Sequence, residues 1–282
     1  MRAIWTGLVG FSVGCAGGKD SGGSDLASRV HTHTIQQVVD GVTVDRTYTV
    51  HEPPGWDVAN PLPLVFAFHG GGGQGDFFAE DLEESIQSGR FLGVYPDGIE
   101  NSWNMGREES TADDVAFTLS ILDDLAGTPG VDVENPVALG YSNGAGFIHM
   151  LAVQSDRFSA IAPMASQLLV DNEPQPGDAK VSVLQLHGTN DDVIPYEGGT
   201  AEMDHSFLSA EASAASWAAH NGCDEAPSET PSGAYLRMEW PGCSESKQVV
   251  HYRLEGVGHD MPWDVEGDTM GSLVDFLLEN RP

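Results

Sequence analysis

Gly140-Tyr141-Ser142-Asn143-Gly144 sets a serine between two glycines in the pattern G-x-S-x-G. The apolar run before it reads as a strand and the residues after it as a helix. A sharp strand-to-helix turn lifts a hydroxyl clear of a sheet and aims helix N-terminal donors at developing negative charge. The competing reading is an ordinary glycine-rich turn. A hydroxyl needs a base before it can attack a carbonyl. Gly256-Val257-Gly258-His259-Asp260 follows the last predicted strand, and its small residues let the His259 ring approach Ser142. Most of the other histidines fit less well. His31 and His33 lie near the N-terminus, His69 and His187 end apolar runs, and His220 falls within a helical pattern. A third group must orient the imidazole and stabilise its charged form. His187-Gly188-Thr189-Asn190-Asp191-Asp192 follows another predicted strand; Asp191 is the choice and Asp192 the fallback. The order Ser, Asp, His is the one expected when a G-x-S-x-G serine is the nucleophile. The oxyanion donors expected are the backbone N–H of Asn143 and those of Gly71 and Gly72, in the run His69-Gly70-Gly71-Gly72-Gly73.

The elements that must position these residues alternate between two periods. Residues 35–39 and 46–51 alternate polar and apolar and read as a strand pair at a sheet edge, turning at Asp40-Gly41. Leu64-Val65-Phe66-Ala67-Phe68 is a continuous apolar run, as in a strand buried on both faces. Helices are predicted over 78–88, 111–125, 145–154, 210–221 and 269–279, and further strands over 91–95, 137–140, 160–163, 181–187 and 249–254. Strands alternating with helices predict an α/β fold, a mostly parallel central sheet with helices on both faces.

The chain has 282 residues, 40% of them hydrophobic, enough for one large core. It carries 43 Asp+Glu against 12 Lys+Arg, a formal net charge of -31. Such a surface repels phosphates and anionic membranes, which excludes nucleic-acid binding. The acidity reads either as a solubilising surface or as adaptation to a salty medium.

The N-terminus, MRAIWTGLVGFSVGC, has a positive start, a short apolar stretch and a small residue before Cys15. It reads as an export signal over residues 1–14. Cys15 is the expected lipidated residue of a lipoprotein, followed by a Gly/Ser-rich tether over 15–33 and a catalytic domain over 34–282. A cleaved signal that happens to contain a cysteine is the alternative. With Cys15 assigned, Cys223 and Cys243 remain, and export favours a disulfide between them that closes a Pro/Ser/Gly-rich loop. Two buried free thiols would also fit.

HGGGG from His69, SWN from Ser102, GYSNGAG from Gly140, HGTNDDVIPY from His187, NGC ending at Cys223 and GVGHDMPW from Gly256 stand in order. Together they resemble the secreted poly(3-hydroxybutyrate) depolymerase, feruloyl esterase and acetylxylan esterase group of α/β-hydrolases, from about Thr34 to the C-terminus. The resemblance implies an α/β-hydrolase fold, Ser142 as nucleophile, Asp191 as acid, His259 as base, and a Cys223–Cys243 disulfide. It also implies a carboxylic ester substrate, polymeric or small, cleaved through an acyl-enzyme without metal or cofactor. The chain departs from the group in two places near the expected site rim. Arg107-Glu108-Glu109 stands where many relatives carry adjacent cysteines, and Asp260-Met261-Pro262-Trp263 replaces the usual Thr-Trp-Pro after the histidine. Trp103 and Trp263 are candidate stacking residues for aromatic or sugar-bearing esters, with core packing as the competing reading. A monomer is expected, touching a membrane only through a lipid on Cys15. A serine peptidase of the same fold, a lipase and a non-catalytic surface binding module are the rival functions.

Overall fold

The computed structural model describes residues 29–201, 204–261 and 264–282. Signal, Cys15 and most of the proposed tether, as well as Trp263, therefore lie outside the described residues.

Ten strands form one sheet in the order β1-β2-β4-β3-β5-β6-β7-β12-β11-β10. Its six central strands are parallel: β4 (Leu92–Pro96), β3 (Leu62–Phe68), β5 (Val131–Tyr141), β6 (Ala160–Met164), β7 (Ser182–Gly188) and β12 (Val249–Leu254). An antiparallel pair lies at each edge, β1 (Arg29–Val39) with β2 (Val42–Glu52), and β10 (Ser228–Ser232) with β11 (Tyr235–Trp240). A two-stranded ribbon, β8 (Gly199–Thr200) and β9 (Ser206–Phe207), follows β7 in the chain.

The apolar run of β3 is buried on both faces, as its composition requires. Leu64, Phe66 and Phe68 point into one core with α2 (Asp114–Leu125), α3 (Asn143–Gln154) and α4 (Ala210–Asn221). Val65 and Ala67 point into the other, with α1 (Glu83–Gln87) and α5 (Thr269–Glu279). This is the helix-covered, mostly parallel sheet that the alternating pattern predicts.

Three expectations about the fold are corrected. The tether does not reach residue 33, because β1 begins at Arg29 and pairs with β2 over its whole length. Arg29 meets Glu52 at 2.8 Å and His33 stacks on Tyr48, so these residues gain partners that a solvated tether would lack. The helix over 78–88 is a 3₁₀ turn at Gly75–Phe78 and a short α1. Phe78, Leu82 and Ile86 do face the core, so the period reported burial and not a continuous backbone. The segment between the cysteines is not a loop but the β10–β11 hairpin. There Met238 and Trp240 are buried while β10 stays exposed, with Pro231 at the sheet edge. The cysteines themselves are bonded, Cys223 to Cys243, joining the end of α4 to the end of this hairpin. Two more corrections, in the turn after β3 and at Trp103, belong to the site.

Candidate active site

Four loops converge at the C-terminal ends of β3, β5, β7 and β12. At the end of β5 the chain turns into α3 through Ser142, whose φ of 54° and ψ of −118° lie where non-glycine residues rarely go. Neighbours hold that conformation: the Ser142 N–H donates to Met164 O at 2.9 Å, and its carbonyl accepts from Gly146 at 3.0 Å. The two glycines of the motif permit the crowding. A Cβ on Gly140 would lie 2.6 Å from Gly144 O, and one on Gly144 would lie 2.3 Å from Phe68 O.

His259 stands between Ser142 and Asp191. Its Nε2 is 2.8 Å from Ser142 Oγ and its Nδ1 is 2.8 Å from Asp191 Oδ2. With Asp191 as a carboxylate, Nδ1 carries the proton and Nε2 faces the hydroxyl as acceptor. The backbone of the same loop is held from below, since Tyr141 Oη donates to His259 O at 2.7 Å. Asp192, the fallback, is exposed.

Asp191 is buried among donors. Its Oδ1 accepts from the amides of Val193 at 3.0 Å and Ile194 at 2.8 Å, and its Oδ2 also lies 3.2 Å from His187 Nε2. Burial alone would raise its pKa, but the bonds from His187, His259 and the Ile194 amide outweigh burial and hold it well below the usual carboxylate range. The charge that supports an imidazolium is therefore present throughout the neutral range.

Asn143 is the first residue of α3, so its N–H has no acceptor in a preceding helical turn. Its side chain is locked on Trp103: Oδ1 accepts from the Trp103 amide at 2.7 Å and Nδ2 donates to Trp103 O at 3.0 Å. Gly71 faces it, a Cβ there lying 3.8 Å from Asn143 Cβ. Gly72 does not share the expected oxyanion role, because its N–H already donates to Asn101 O at 2.8 Å. The turn is braced by His69. Gly98 N–H donates to His69 Nε2 at 3.0 Å, which leaves Nδ1 to carry the proton toward Gly70 O at 2.8 Å. Burial lowers the pKa of this ring and keeps it neutral.

Trp103 is not a stacking platform. It is fully buried, donates from Nε1 to His69 O at 3.0 Å, and packs on Phe68 and Phe147. Its core role follows from the segment around it. Arg46 pairs with Asp114 at 2.7 Å, and Asp114 accepts the Asn104 amide at 2.7 Å, which ties the SWN segment to α2.

A cavity of about 400 Å³ opens at this point, with Gly71, Ser142, Asn143 and His259 on its wall. Met105, His205 and Phe207 line it as well. His205 pairs at 2.8 Å with Glu108, one of the residues standing where relatives carry cysteines. Sequence reasoning did not single out His205, His187 or Tyr141, and it noted Glu108 only as a departure. A larger groove of about 760 Å³ lies against β1 and β2 and contains none of these residues. Among the described residues no His/Cys/Asp/Glu cluster could hold a metal ion, and no helix is long and apolar enough to cross a membrane.

No family model matches the chain. Feruloyl esterase C of Emericella nidulans is 29% identical over 227 residues, which is 76% of each protein. Feruloyl esterase B of Piromyces equi is 26% identical over 239 residues, 78% of this chain and 44% of that protein. The acetyl xylan esterase from Aspergillus awamori shares the fold, with a TM-score of 0.64 at 15% identity over 87% of this chain and 99% of that one.

Proposed function

We propose that this chain, a carboxylic ester hydrolase of the feruloyl and acetylxylan esterase-like α/β-hydrolases, works by two-step acyl transfer on Ser142. His259 Nε2 takes the serine proton as Oγ attacks the ester carbonyl. The oxyanion is received by the amides of Asn143 and Gly71, and the partial positive charge at the start of α3 adds to their effect. His259 then gives its proton to the departing alcohol. Water enters, loses a proton to the same nitrogen and attacks the acyl carbon; the bond to Ser142 Oγ breaks, His259 returns the proton to Oγ, and the acid leaves. Asp191 keeps the ring in the required tautomer and offsets its charge at each step. The observation that carries this reading is the unbroken line from Ser142 Oγ through His259 to Asp191, with both contacts at 2.8 Å.

The substrates proposed are feruloyl or acetyl esters of plant polysaccharide, or hydroxyalkanoate polyesters. The names of the relatives and the six sequence motifs support this class. Residues 29–282 form the catalytic domain in this reading, with an export signal over 1–14 and a lipid on Cys15. The signal-like N-terminus and the Cys223–Cys243 bond, which suits an oxidising compartment, support export.

Replacing Ser142 by alanine tests the chemistry. Turnover of p-nitrophenyl acetate should fall by several orders of magnitude while the folded far-UV spectrum persists. Near-normal turnover, or cleavage of peptide anilides with no ester hydrolysis by the unaltered enzyme, would overturn the reading. A panel of methyl ferulate, acetylated xylan and hydroxybutyrate oligomers ranks the substrates.

A further inference from the structure

Residues 97–104, which follow β4, have both ends tied to one buried guanidinium. At the near end the Asp97 carbonyl accepts from Arg46 Nη2 at 3.1 Å. At the far end the Asn104 amide donates to Asp114 Oδ2 at 2.7 Å, and Asp114 Oδ1 accepts from Arg46 Nη2 at 2.7 Å. The Arg46 and Asp114 side chains are 1% and 0% exposed. Nη1 donates to Gln37 Oε1 at 2.6 Å, and the guanidinium lies 3.8 Å over the Phe117 ring. Desolvating two charges this deeply can cost more than their attraction returns, so stability alone is a poor reason for the pair.

Between those ends the segment is one compact piece. The amides of Asn101 and Ser102 donate back to Gly98 O and Ile99 O, each at 3.2 Å, and a Cβ on Gly98 would lie 2.4 Å from Ser102 O. It reaches the frame of each proposed oxyanion donor. Trp103 takes both polar ends of the Asn143 side chain, at 2.7 and 3.0 Å. In the turn after β3, Asn101 O accepts the Gly72 N–H at 2.8 Å and the Gly98 N–H donates to His69 Nε2 at 3.0 Å, which brackets Gly71 from both sides in the chain. The gap between the Asn143 and Gly71 amides is thus spanned by residues 97–104.

We infer that Arg46 and Asp114 are positioning residues for the oxyanion hole. The guanidinium fixes both ends of residues 97–104, and that segment sets the spacing of the two donor amides. This role rests on the acyl-transfer reading of Ser142 and deepens it by naming what holds the donors in place. A misplacement of about 1 Å, caused far from the reacting atoms, can cost about 10²-fold in rate.

The test measures melting temperature, kcat and KM on p-nitrophenyl acetate, and the Ki of a trifluoromethyl ketone, which adds to a catalytic serine as a tetrahedral oxyanion. Arg46→Met strands the Asp114 carboxylate and should melt early. Arg46→Met combined with Asp114→Leu removes both charges, and apolar side chains in place of a buried pair are often neutral for stability. The double variant should therefore melt later than Arg46→Met. Nothing in it ties Asp97 O or the Asn104 amide, so kcat should stay about tenfold to hundredfold low, Ki should rise by a similar factor, and KM should hold within about threefold. Arg46→Lys keeps a charge for Asp114, but one ammonium cannot span Gln37, Asp97 and Asp114 together. It should fold, lose part of the rate and raise Ki. Asp113→Ala is the control. It removes the cap of α2, where Asp113 accepts from the Ala116 amide, and should lower the melting temperature while kcat and Ki hold. A purely structural pair predicts that kcat returns with stability in the double variant and that Ki is unaltered in Arg46→Lys; either result overturns the inference and leaves the ester-hydrolase reading standing. An unaltered enzyme that neither turns over the ester nor is captured by the ketone removes both.

Discussion

Tyr141 Oη donates a 2.7 Å hydrogen bond to the carbonyl of His259, so the residue before the proposed nucleophile holds the backbone of the proposed base. The two lie 118 positions apart in the chain. The Tyr141 ring also stacks on Phe77, and its pKa is pushed up to about 12, first by burial and then by Asp260 and Asp191. Tyr141→Phe keeps the ring and deletes the donor. The His259 loop loses one anchor, and kcat should fall about fivefold with KM little changed, a single hydrogen bond being worth roughly 1 kcal/mol. Steady-state kinetics on p-nitrophenyl acetate decide it; an unchanged kcat would mean that the contact does not position the base.

The choice between adjacent carboxylates is also testable. Asp191 bonds His259 and is buried, whereas Asp192 is exposed. Asp191→Asn should cut kcat by roughly 10⁴, the cost of the wrong tautomer in serine proteases. Asp192→Asn should leave it nearly intact. The reverse result would move the acid by one residue.

The same carboxylate predicts a pH dependence of stability. Its pKa in the folded state is depressed by the bonds from His187, His259 and the Ile194 amide, which outweigh burial. An unfolded aspartate takes up its proton near about 3.9. Above that value Asp191 contributes its full stabilisation. As pH falls below it, the unfolded state binds the proton first, and the contribution drains away toward the lower folded pKa. The stability lost by Asp191→Asn should therefore be largest at neutral pH and shrink below about pH 4. Urea titrations of both proteins at pH 7 and pH 3 measure it, and a gap that widens in acid would contradict the assignment.

The disulfide joins residues 20 positions apart, from the end of α4 to the end of the β10–β11 hairpin. Replacing both cysteines by serine should cost on the order of 2–4 kcal/mol through the freed unfolded chain. Both cysteines lie at the far end of the β12 edge from the His259 loop, so kcat of the folded fraction should hold. Chemical denaturation and activity measured on one preparation separate the two effects.

What could be read in advance was what is written locally. Ser142, Asp191 and His259 each follow a strand within a few residues, so turn chemistry and strand order mark them. Glu108 and His205 lie 97 positions apart and meet only once the cavity is built; neither has a local pattern of its own. Trp103 shows the converse limit. Its type suits stacking on a ligand, but Phe68, Phe147 and the His69 carbonyl take every face of it, which only packing reveals. Gly72 reads as an open donor in a run of glycines until Asn101 arrives from the next loop to accept its proton. The β10–β11 hairpin was hidden by its outer strand, in which every residue is exposed and no alternation survives.

The glycine at the start of α3 gives the last prediction. A Cβ on Gly144 would meet Phe68 O at 2.3 Å and His69 O at 2.4 Å, both backbone atoms that no rotamer change can move aside. In Gly144→Ala either α3 tilts away from β3 or the turn after β3 is displaced. Both movements change the gap between the amides of Asn143 and Gly71, the two proposed oxyanion donors. Rate should then suffer beyond what stability alone explains, since losing one such donor costs about 10²–10³ in kcat. Gly41→Ala provides the control. Gly41 has a φ of 80° in the turn between β1 and β2, with nothing near its Cβ. Alanine there strains the backbone by about 1 kcal/mol, far from the cavity. Both variants should melt earlier, but only Gly144→Ala should lose kcat in the folded fraction, with KM for p-nitrophenyl acetate changing less than kcat. Equal kcat in the two variants would show that the close approach of α3 to β3 serves packing alone and does not set the spacing of the donors.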